Sequence, residues 1–181
     1  PYRGKVKNSE QPIVLFYRGD LSLLKATNKN IAVIGLLNPD NDTETIEQEV
    51  VAELVKNGAT IVSGLALGCD SIAHRQTLRS NGKTVAILPS PLNNILPAIN
   101  IELANEIVRN NGLLITEYYE SAKSKMELGG RYQERDRLQA LFSDSIILSA
   151  SYAKNDQGND SGSRLAMGYA LNYSIPRAVI Y

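Results

Sequence analysis

The sequence predicts an α/β domain: a mostly parallel sheet of six or more strands with helices on both faces. Two observations lead to this fold class. Short, continuously apolar runs recur along the chain, as expected for parallel strands that are buried on both faces. The segments between these runs carry apolar residues at helical spacing, and short strand–helix–strand connections impose right-handed crossovers and a parallel sheet.

Each predicted strand is an apolar run bounded by glycine or polar residues. The strands cover residues 31–34, 60–63, 84–88, 113–116, 145–149 and 177–181, and residues 13–17 either add a strand or pack on one edge. The helices cover residues 43–57, 70–80, 100–110, 131–142 and 162–171, several of them with a following glycine as stop signal. Two polar stretches, 118–130 and 153–160, are predicted loops.

These elements predict a Rossmann-like, three-layer core over residues 31–181, preceded by an N-terminal segment, residues 1–30, that packs on it. The first residue is Pro1 rather than Met, so we expect the natural start of the protein to lie upstream. No apolar run reaches the roughly 18 residues of a membrane span, and we expect no membrane partner.

The bulk composition restricts the function classes. The single cysteine, Cys69, forms no internal disulfide, which fits a reducing cytoplasm, and it leaves no cysteine-rich zinc site. Nineteen Lys and Arg balance nineteen Asp and Glu, so a nucleic-acid site requires that positive charge be gathered on one face. Residues 1–30 are more basic than residues 40–53, so the charge is segregated along the chain.

Ligands of open parallel sheets bind beyond the carboxyl ends of the strands, so the residues that follow each strand are the candidates. Ser63, Gly64 and Gly68 stand between a strand and a helix, where glycines admit a ligand and a helix start attracts phosphate. Their spacing matches neither the dinucleotide fingerprint nor a P-loop. A tight turn with Asp70 as helix N-cap explains the segment equally well.

A second helix start follows the fifth strand of the core. Ser161, Gly162 and Ser163 are small residues placed ahead of a helix, which makes either a second anion site or a simple cap. Two such starts on one edge of a sheet favour a shared phosphate site more than either does alone.

One predicted helix concentrates arginine. Arg131 and Arg135 share a helix face, Arg137 follows closely, and their guanidinium forks suit phosphate oxygens or stack on bases. Surface salt bridges with Glu134 and Asp136 are the alternative. Lys123 and Lys125 are further candidates to neutralise the phosphates of a nucleic acid. Tyr118, Tyr119 and Tyr132 are candidates to stack on its bases.

The only histidine, His74, stands four residues after Asp70 on one helix. The pair could act as a base and its orienter, but no nucleophile lies beside it, and we favour a hydrogen bond between them that fixes the helix start. Glu117, directly after the fourth core strand, either binds a ribose or base edge or caps a neighbouring turn.

At these residues the chain resembles the DprA (Smf) family of DNA-processing proteins. Residues 63–74, SGLALGCDSIAH, are similar to that family's segment S-G-x-A-x-G-[IV]-D-x-x-A-H. Further similarities run in consistent order from residue 12 to residue 181: the segment before the core, the first strand with Gly35, the TEY of residues 116–118, the RDR of residues 135–137, and the SGS of residues 161–163.

The resemblance implies an extended Rossmann fold, a homodimer, binding of single-stranded DNA and loading of the RecA recombinase during natural transformation, with no cofactor, no metal and no catalytic activity. The alternative within the same superfamily is a sensor or hydrolase of a nucleotide-derived small ligand, and a third is a protein-binding platform. The family usually has a C-terminal winged-helix-like domain that this chain lacks, which indicates part of a longer protein or a short homologue.

The chain departs from the family pattern at residues expected to face DNA. Leu36 and Leu37 stand where the family usually has Ser-Arg, Leu67 stands where many members have Arg, and Asp136 stands where the family has Asn. These departures remove positive charge and add a carboxylate.

Overall fold

The computed structural model describes residues 6–152 and 162–180. Within these ranges, seven strands form one sheet in the order β1-β5-β4-β3-β2-β6-β7. The strand β1 is antiparallel to β5, and all other neighbours are parallel. The strands are β1 (Phe16–Gly19), β2 (Lys29–Ile34), β3 (Ala59–Ser63), β4 (Lys83–Ile87), β5 (Leu113–Thr116), β6 (Ser145–Leu148) and β7 (Arg177–Val179).

Helices cover both faces of this sheet. They are α1 (Asn41–Lys56), α2 (Cys69–Arg79), α3 (Ile101–Arg109), α4 (Lys125–Leu141) and α5 (Gly162–Asn172). Short 3₁₀ helices cover Asn8–Glu10, Leu21–Leu24 and Ala98–Asn100. No helix within the described ranges is long and apolar enough to cross a membrane. The predicted three-layer fold with a mostly parallel sheet is confirmed.

The two faces of the strands enter separate hydrophobic cores, because successive side chains of a strand point to opposite faces. Val85 and Ile87 of β4 pack with Leu138 of α4 and with α5. On the opposite face, Ala86 packs against α3, and other strand residues pack against α1 and α2. The apolar runs are therefore buried on both sides, which is the reason that they were recognisable as strands.

The strand order reverses at β2. The chain leaves β2 to form β3 on one side, proceeds outward through β4 and β5, and returns to form β6 on the other side of β2. A crevice forms at such a reversal, beyond the carboxyl ends of the strands, because the flanking helices diverge to opposite faces. The sheet topology therefore places residues 35–38 and the turn after β3 beside one opening.

The structure corrects one loop prediction. Residues 118–130 were predicted as a loop, yet α4 begins at Lys125. The hydroxyl of Ser124 accepts a hydrogen bond from the amide of Glu127, and the Glu127 carboxylate accepts one from the amide of Lys123. This reciprocal cap starts the helix ahead of a Gly-Gly pair that suggested a loop. The second predicted loop, residues 153–160, lies outside the described residues.

The N-terminal segment contributes to the sheet. The strand β1 pairs with β5 so that Phe16 lies opposite Thr116 and Gly19 opposite Leu113. The strand begins three residues later than the run at residues 13–17, where Ile13 is 96% exposed and therefore lies outside the core. The domain boundary at residues 30 and 31 stays a prediction.

Candidate functional site

A cavity of about 790 Å³ lies at the carboxyl ends of β2, β3 and β6, where the strand order reverses. Its volume falls in the range of small-molecule sites, roughly 300–1,000 Å³. Contributions come from the segments after the strands, from the first turns of α2 and α5, and from α4. The lining includes Gly35, Leu36, Leu37, Leu67, Asp70, Tyr132, Arg135, Asp136, Gln139, Tyr152, Gly162 and Ser163.

Asp70 organises the turn between β3 and α2. Its Oδ2 accepts hydrogen bonds from the amides of Gly64 (3.1 Å) and Ala66 (3.3 Å), and it lies 3.5 Å from Nη1 of Arg135. The prediction that Asp70 caps α2 is wrong. The N-cap is Gly68, and the carboxylate of Asp70 turns back to satisfy the preceding loop.

Two positions of this turn require glycine, because neighbouring groups lie where a side chain would be. Gly68 has φ +65° and ψ −129°, and a side chain there would overlap the carbonyl groups of Leu36 and Leu37. The guanidinium of Arg135 lies directly over Gly64, where a Cβ atom would overlap it. The glycines thus bring the turn against the residues after β2 on one side and against α4 on the other.

The side chains of Arg135 and Asp136 are buried, not at the surface. Each residue is 5% exposed, and Nε of Arg135 lies 3.6 Å from Oδ1 of Asp136. The same Oδ1 accepts a hydrogen bond of 3.0 Å from Nε2 of Gln139. Burial raises the pKa of Asp136 to about 7; the charge of Asp70 adds to this shift and that of Arg135 opposes it. The alternative of a surface salt bridge for Arg135 is therefore wrong.

The other two arginines of α4 also bind carboxylates. Arg137 forms a bidentate ion pair with Glu117, with both distances 2.8 Å. Arg131 donates to Glu127 at 2.7 Å and lies 4.2 Å above the ring of Tyr118. The hydroxyl of Tyr118 in turn donates to Glu134 at 2.6 Å. The arginines that the sequence predicted as phosphate ligands are thus largely neutralised by neighbouring carboxylates.

The start of α5 lies beside Asp136 of α4 at the cavity. A Cβ atom on Gly162 would lie 3.4 Å from Oδ2 of Asp136, and Ser163 is buried in the lining. Ser161 lies outside the described residues. The first turns of α2 and α5 therefore both contribute to the lining of one cavity, through Asp70 and through Gly162 and Ser163.

Not every predicted site residue reaches the cavity. Gly35, Asp70, Arg135, Gly162 and Ser163 line it, whereas Ser63, Gly64, Gly68, His74, Glu117, Tyr118 and Arg137 are not among its lining residues. The hydroxyl of Ser63 is buried and donates to the carbonyl of Val33 at 2.7 Å. Phosphate binding by the predicted residues stays a prediction, and the amide of Gly64 is already held by Asp70.

Sequence reasoning missed Gln139. It is 2% exposed, lines the cavity and follows Asp136 by three positions and Arg135 by four. The helical spacing places all three side chains on one face of α4, and that spacing is the signal that could have found it.

The expected hydrogen bond between Asp70 and His74 is wrong. Nδ1 of His74 lies 2.7 Å from the hydroxyl of Thr84, and that hydroxyl donates to the carbonyl of Ile61 at 2.8 Å. The hydroxyl proton is therefore engaged, so His74 is assigned as donor through Nδ1. Burial, followed by the charges of Arg135 and Arg75, lowers the pKa of His74 to about 3. A group held neutral at this depth serves packing and supplies no base at neutral pH.

His74 should make stability depend on acid. Its folded-state pKa is about 3 against an ordinary 6.5, so its contribution is present above pH 6.5 and is lost as pH falls from 6.5 towards 3. Between pH 7 and pH 4 the loss should be about 3 kcal/mol of unfolding free energy. His74→Asn keeps a donor near Thr84 but cannot titrate. Urea denaturation should show a smaller decrease between these pH values for the variant, and equal decreases would contradict the assignment.

Gly64→Ala should displace Arg135, because the new methyl group occupies the place of the guanidinium. We expect a loss of about 1–3 kcal/mol in unfolding free energy, as for other overpacked interiors. The loss should be smaller when Arg135→Ala is already present, since the overlap is then gone. Gly58→Ala, where a methyl group meets nothing within 4 Å but φ is +79°, controls for backbone strain alone. Additive effects of Gly64→Ala and Arg135→Ala in a double-mutant cycle would contradict this packing.

Comparison with known proteins relates the chain to DNA-processing proteins. The family model described as DNA recombination-mediator protein A matches residues 2–179. Protein Smf of Synechocystis is 31% identical over 165 residues, which are 90% of this chain and 39% of that protein. The DNA processing protein DprA of Streptococcus pneumoniae is 31% identical over 140 residues, 77% of this chain and 47% of that protein. The chain thus spans less than half the length of these curated relatives.

Solved structures give the same relationship. DNA processing protein A of Helicobacter pylori, described with a single-stranded DNA binding mode, superposes with a TM-score of 0.80 at 31% identity, covering 97% of this chain and 79% of that one. The DprA structure of S. pneumoniae also gives 0.80, at 29% identity, covering 96% of this chain and 58% of that one. The molybdenum cofactor carrier protein of Chlamydomonas reinhardtii, at 18% identity and a TM-score of 0.54, shares the fold alone.

The resemblance stated from the sequence is therefore confirmed. The family's description names a DNA recombination mediator. On the match over residues 2–179 and on these relatives, the chain belongs to the DNA recombination-mediator protein A family, the DprA (Smf) proteins.

Proposed function

We propose that this chain binds single-stranded DNA at the mouth of the cavity. The observation that carries the proposal is a nucleotide-sized cavity, with a tyrosine and leucines in its wall, at the strand-order reversal of a chain related to an H. pylori protein that binds single-stranded DNA. Single strands expose their bases, and aromatic and apolar side chains receive base faces without regard to sequence.

The charges around the cavity favour bases rather than phosphates in its interior. Asp70 and Asp136 both line it, and Arg135, the one arginine of the lining among the described residues, lies against both carboxylates. A phosphate placed there would meet two carboxylates and one shared guanidinium, so its desolvation would be poorly offset. A neutral base carries no such penalty, and Tyr132 and Leu67 offer it apolar contact.

The phosphates then follow the rim at the start of α4. Lys123 and Lys125 are exposed there, and Lys125 lies about one helical turn before Gly129, which lines the cavity. Lysines at a helix N-terminus also lie next to its positive dipole end, which adds to the local positive potential.

The proposal extends to the whole protein. A recombination mediator of this family would help load RecA onto the bound strand in the cytoplasm, during uptake of DNA in natural transformation. A homodimer is part of the proposal, supported by the exposed edge strand β7 and by Leu171, which is 58% exposed beside it.

The second candidate is a nucleotide-derived small ligand, bound by a sensor or cleaved by a hydrolase. The carboxylates of Asp70 and Asp136, and the ion-paired state of Arg135, favour a small ligand over a long polyanion. A ligand-specific rise in melting temperature with a free nucleotide, without binding of oligonucleotides, would select it, because a ligand stabilises the native state that binds it.

Replacing both rim lysines should weaken binding of an oligothymidylate. Lys123→Ala with Lys125→Ala should lower affinity severalfold and reduce the slope of log affinity against log salt by about 1.4, roughly 0.7 for each phosphate contact. The matched control is Lys25→Ala with Lys29→Ala, two exposed lysines near the amino end of β2, away from the cavity. Fluorescence anisotropy across a salt series measures both.

Equal losses in the two double variants would place the phosphates elsewhere. No binding by the unaltered protein even at low salt would contradict the proposed function itself.

A further inference from the structure

We propose that the cavity selects guanine, which it recognises through the carboxylate of Asp136 and the amide oxygen of Gln139. The inference rests on the proposed binding of single-stranded DNA and adds to it a base preference at one position of the strand.

Two buried residues of the lining, Asp136 and Gln139, form what we call the floor of the cavity, and both carry hydrogen-bond acceptors. Oδ1 of Asp136 receives the hydrogen bond from Gln139, and Oδ2 points to the side of Gly162. Oε1 of Gln139 is buried and has no hydrogen-bond partner among residues 6–152 and 162–180. Both residues are at least nine-tenths buried and both line the cavity.

The described part of the chain satisfies these acceptors only in part. Nε of Arg135 lies 3.6 Å from Oδ1 of Asp136, beyond hydrogen-bond distance, and it too has no partner among the described residues. A buried carboxylate with one hydrogen bond and a buried amide oxygen with none are both costly. N–H donors on a ligand would remove that cost, so the site fits a ligand edge that donates.

Guanine has the edge that fits best. Its N1–H and N2–H₂ groups are adjacent donors on the pairing edge, and a carboxylate accepts two parallel hydrogen bonds. Cytosine and adenine place their amino group beside an acceptor nitrogen, and thymine places one N–H between two carbonyl groups. Each of these three would set an acceptor against Asp136 or Gln139.

The walls fit the faces of the same base. The Tyr132 side chain is half-buried, and Leu36 and Leu67 supply apolar surface in the same lining. Stacking on a tyrosine is tolerant of base identity. The acceptors at the floor therefore supply the discrimination, and the walls supply affinity common to all bases.

The test compares oligothymidylates that carry one central guanine, hypoxanthine or thymine, about one pH unit above the pKa of about 7 of Asp136, where its carboxyl is mostly ionised and accepts hydrogen bonds. Hypoxanthine keeps N1–H but lacks the N2 amino group of guanine. The difference in affinity between the guanine and hypoxanthine oligomers therefore measures the contribution of the N2 amino group. The unaltered protein should bind the guanine oligomer roughly five- to a hundredfold more tightly than the thymine oligomer, as for a bidentate pair, with hypoxanthine in between. Asp136→Asn should reduce the guanine preference to less than twofold.

Glu120→Gln is the matched control, because it removes one exposed negative charge near α4 without altering the cavity. It should keep the full guanine preference. Thermal melting of each variant verifies folding, and Asp136→Asn conserves shape so that the comparison does not depend on a destabilised protein.

The outcomes separate this inference from the function on which it rests. Binding of all three oligomers with equal affinity overturns the guanine site and leaves strand binding intact. Failure to bind any oligomer, together with stabilisation by free dGMP and not by dTMP, retains the guanine site and overturns single-stranded DNA as its source. A guanine preference that survives Asp136→Asn overturns the assigned residue.

Discussion

The contact on which the cavity depends is the one between the Asp70 carboxylate, the amides of the β3–α2 turn and the guanidinium of Arg135. It holds the turn after β3 and the middle of α4 in one arrangement across the end of the sheet. Because Arg135 lies directly over Gly64, α4 approaches the turn closely, and that approach sets where Asp136 and Gln139 point. A buried ion pair of this kind contributes little net stability but is costly to break from one side, so its main effect is geometric.

The same contact explains how a chain with equal numbers of acidic and basic residues serves a polyanionic partner in this proposal. Its arginines on α4 are occupied by carboxylates, in the interior for Arg135 and at the edge for Arg137. The charges of α4 are thus balanced locally, and the exposed positive charges near the cavity are those of Lys123 and Lys125 on the rim. Leu36, Leu37 and Leu67 make part of the wall apolar, and two of them, Leu37 and Leu67, stand where the family pattern described above has arginine. Affinity would then come less from phosphate neutralisation than is usual for DNA-binding domains.

Features that depend on neighbouring residues could be predicted from the sequence, whereas contacts between residues far apart in the chain could not. Buried parallel strands announce themselves as continuous apolar runs, and the end of α1 before Gly58 is a local signal, so sheet and helices were predictable. The start of α4 was not, because Gly129 and Gly130 obscure the cap at Ser124. The partners of Asp70 and His74 were not predictable either. Arg135 lies 65 positions from Asp70, and Thr84 lies on β4 whereas His74 lies on α2. Side-chain pairing across layers has no local pattern to reveal it.

The inward position of Asp136 has a consequence for duplex DNA. In the proposed site, the acceptors of Asp136 and Gln139 would bind the edge of a base that Watson–Crick pairing otherwise occupies. A double helix offers neither a free edge nor an unstacked base, and extruding one costs a few kcal/mol. Discrimination between one strand and two would then arise at the bottom of a cavity, from hydrogen-bond geometry, and would persist at ionic strengths that screen every surface charge.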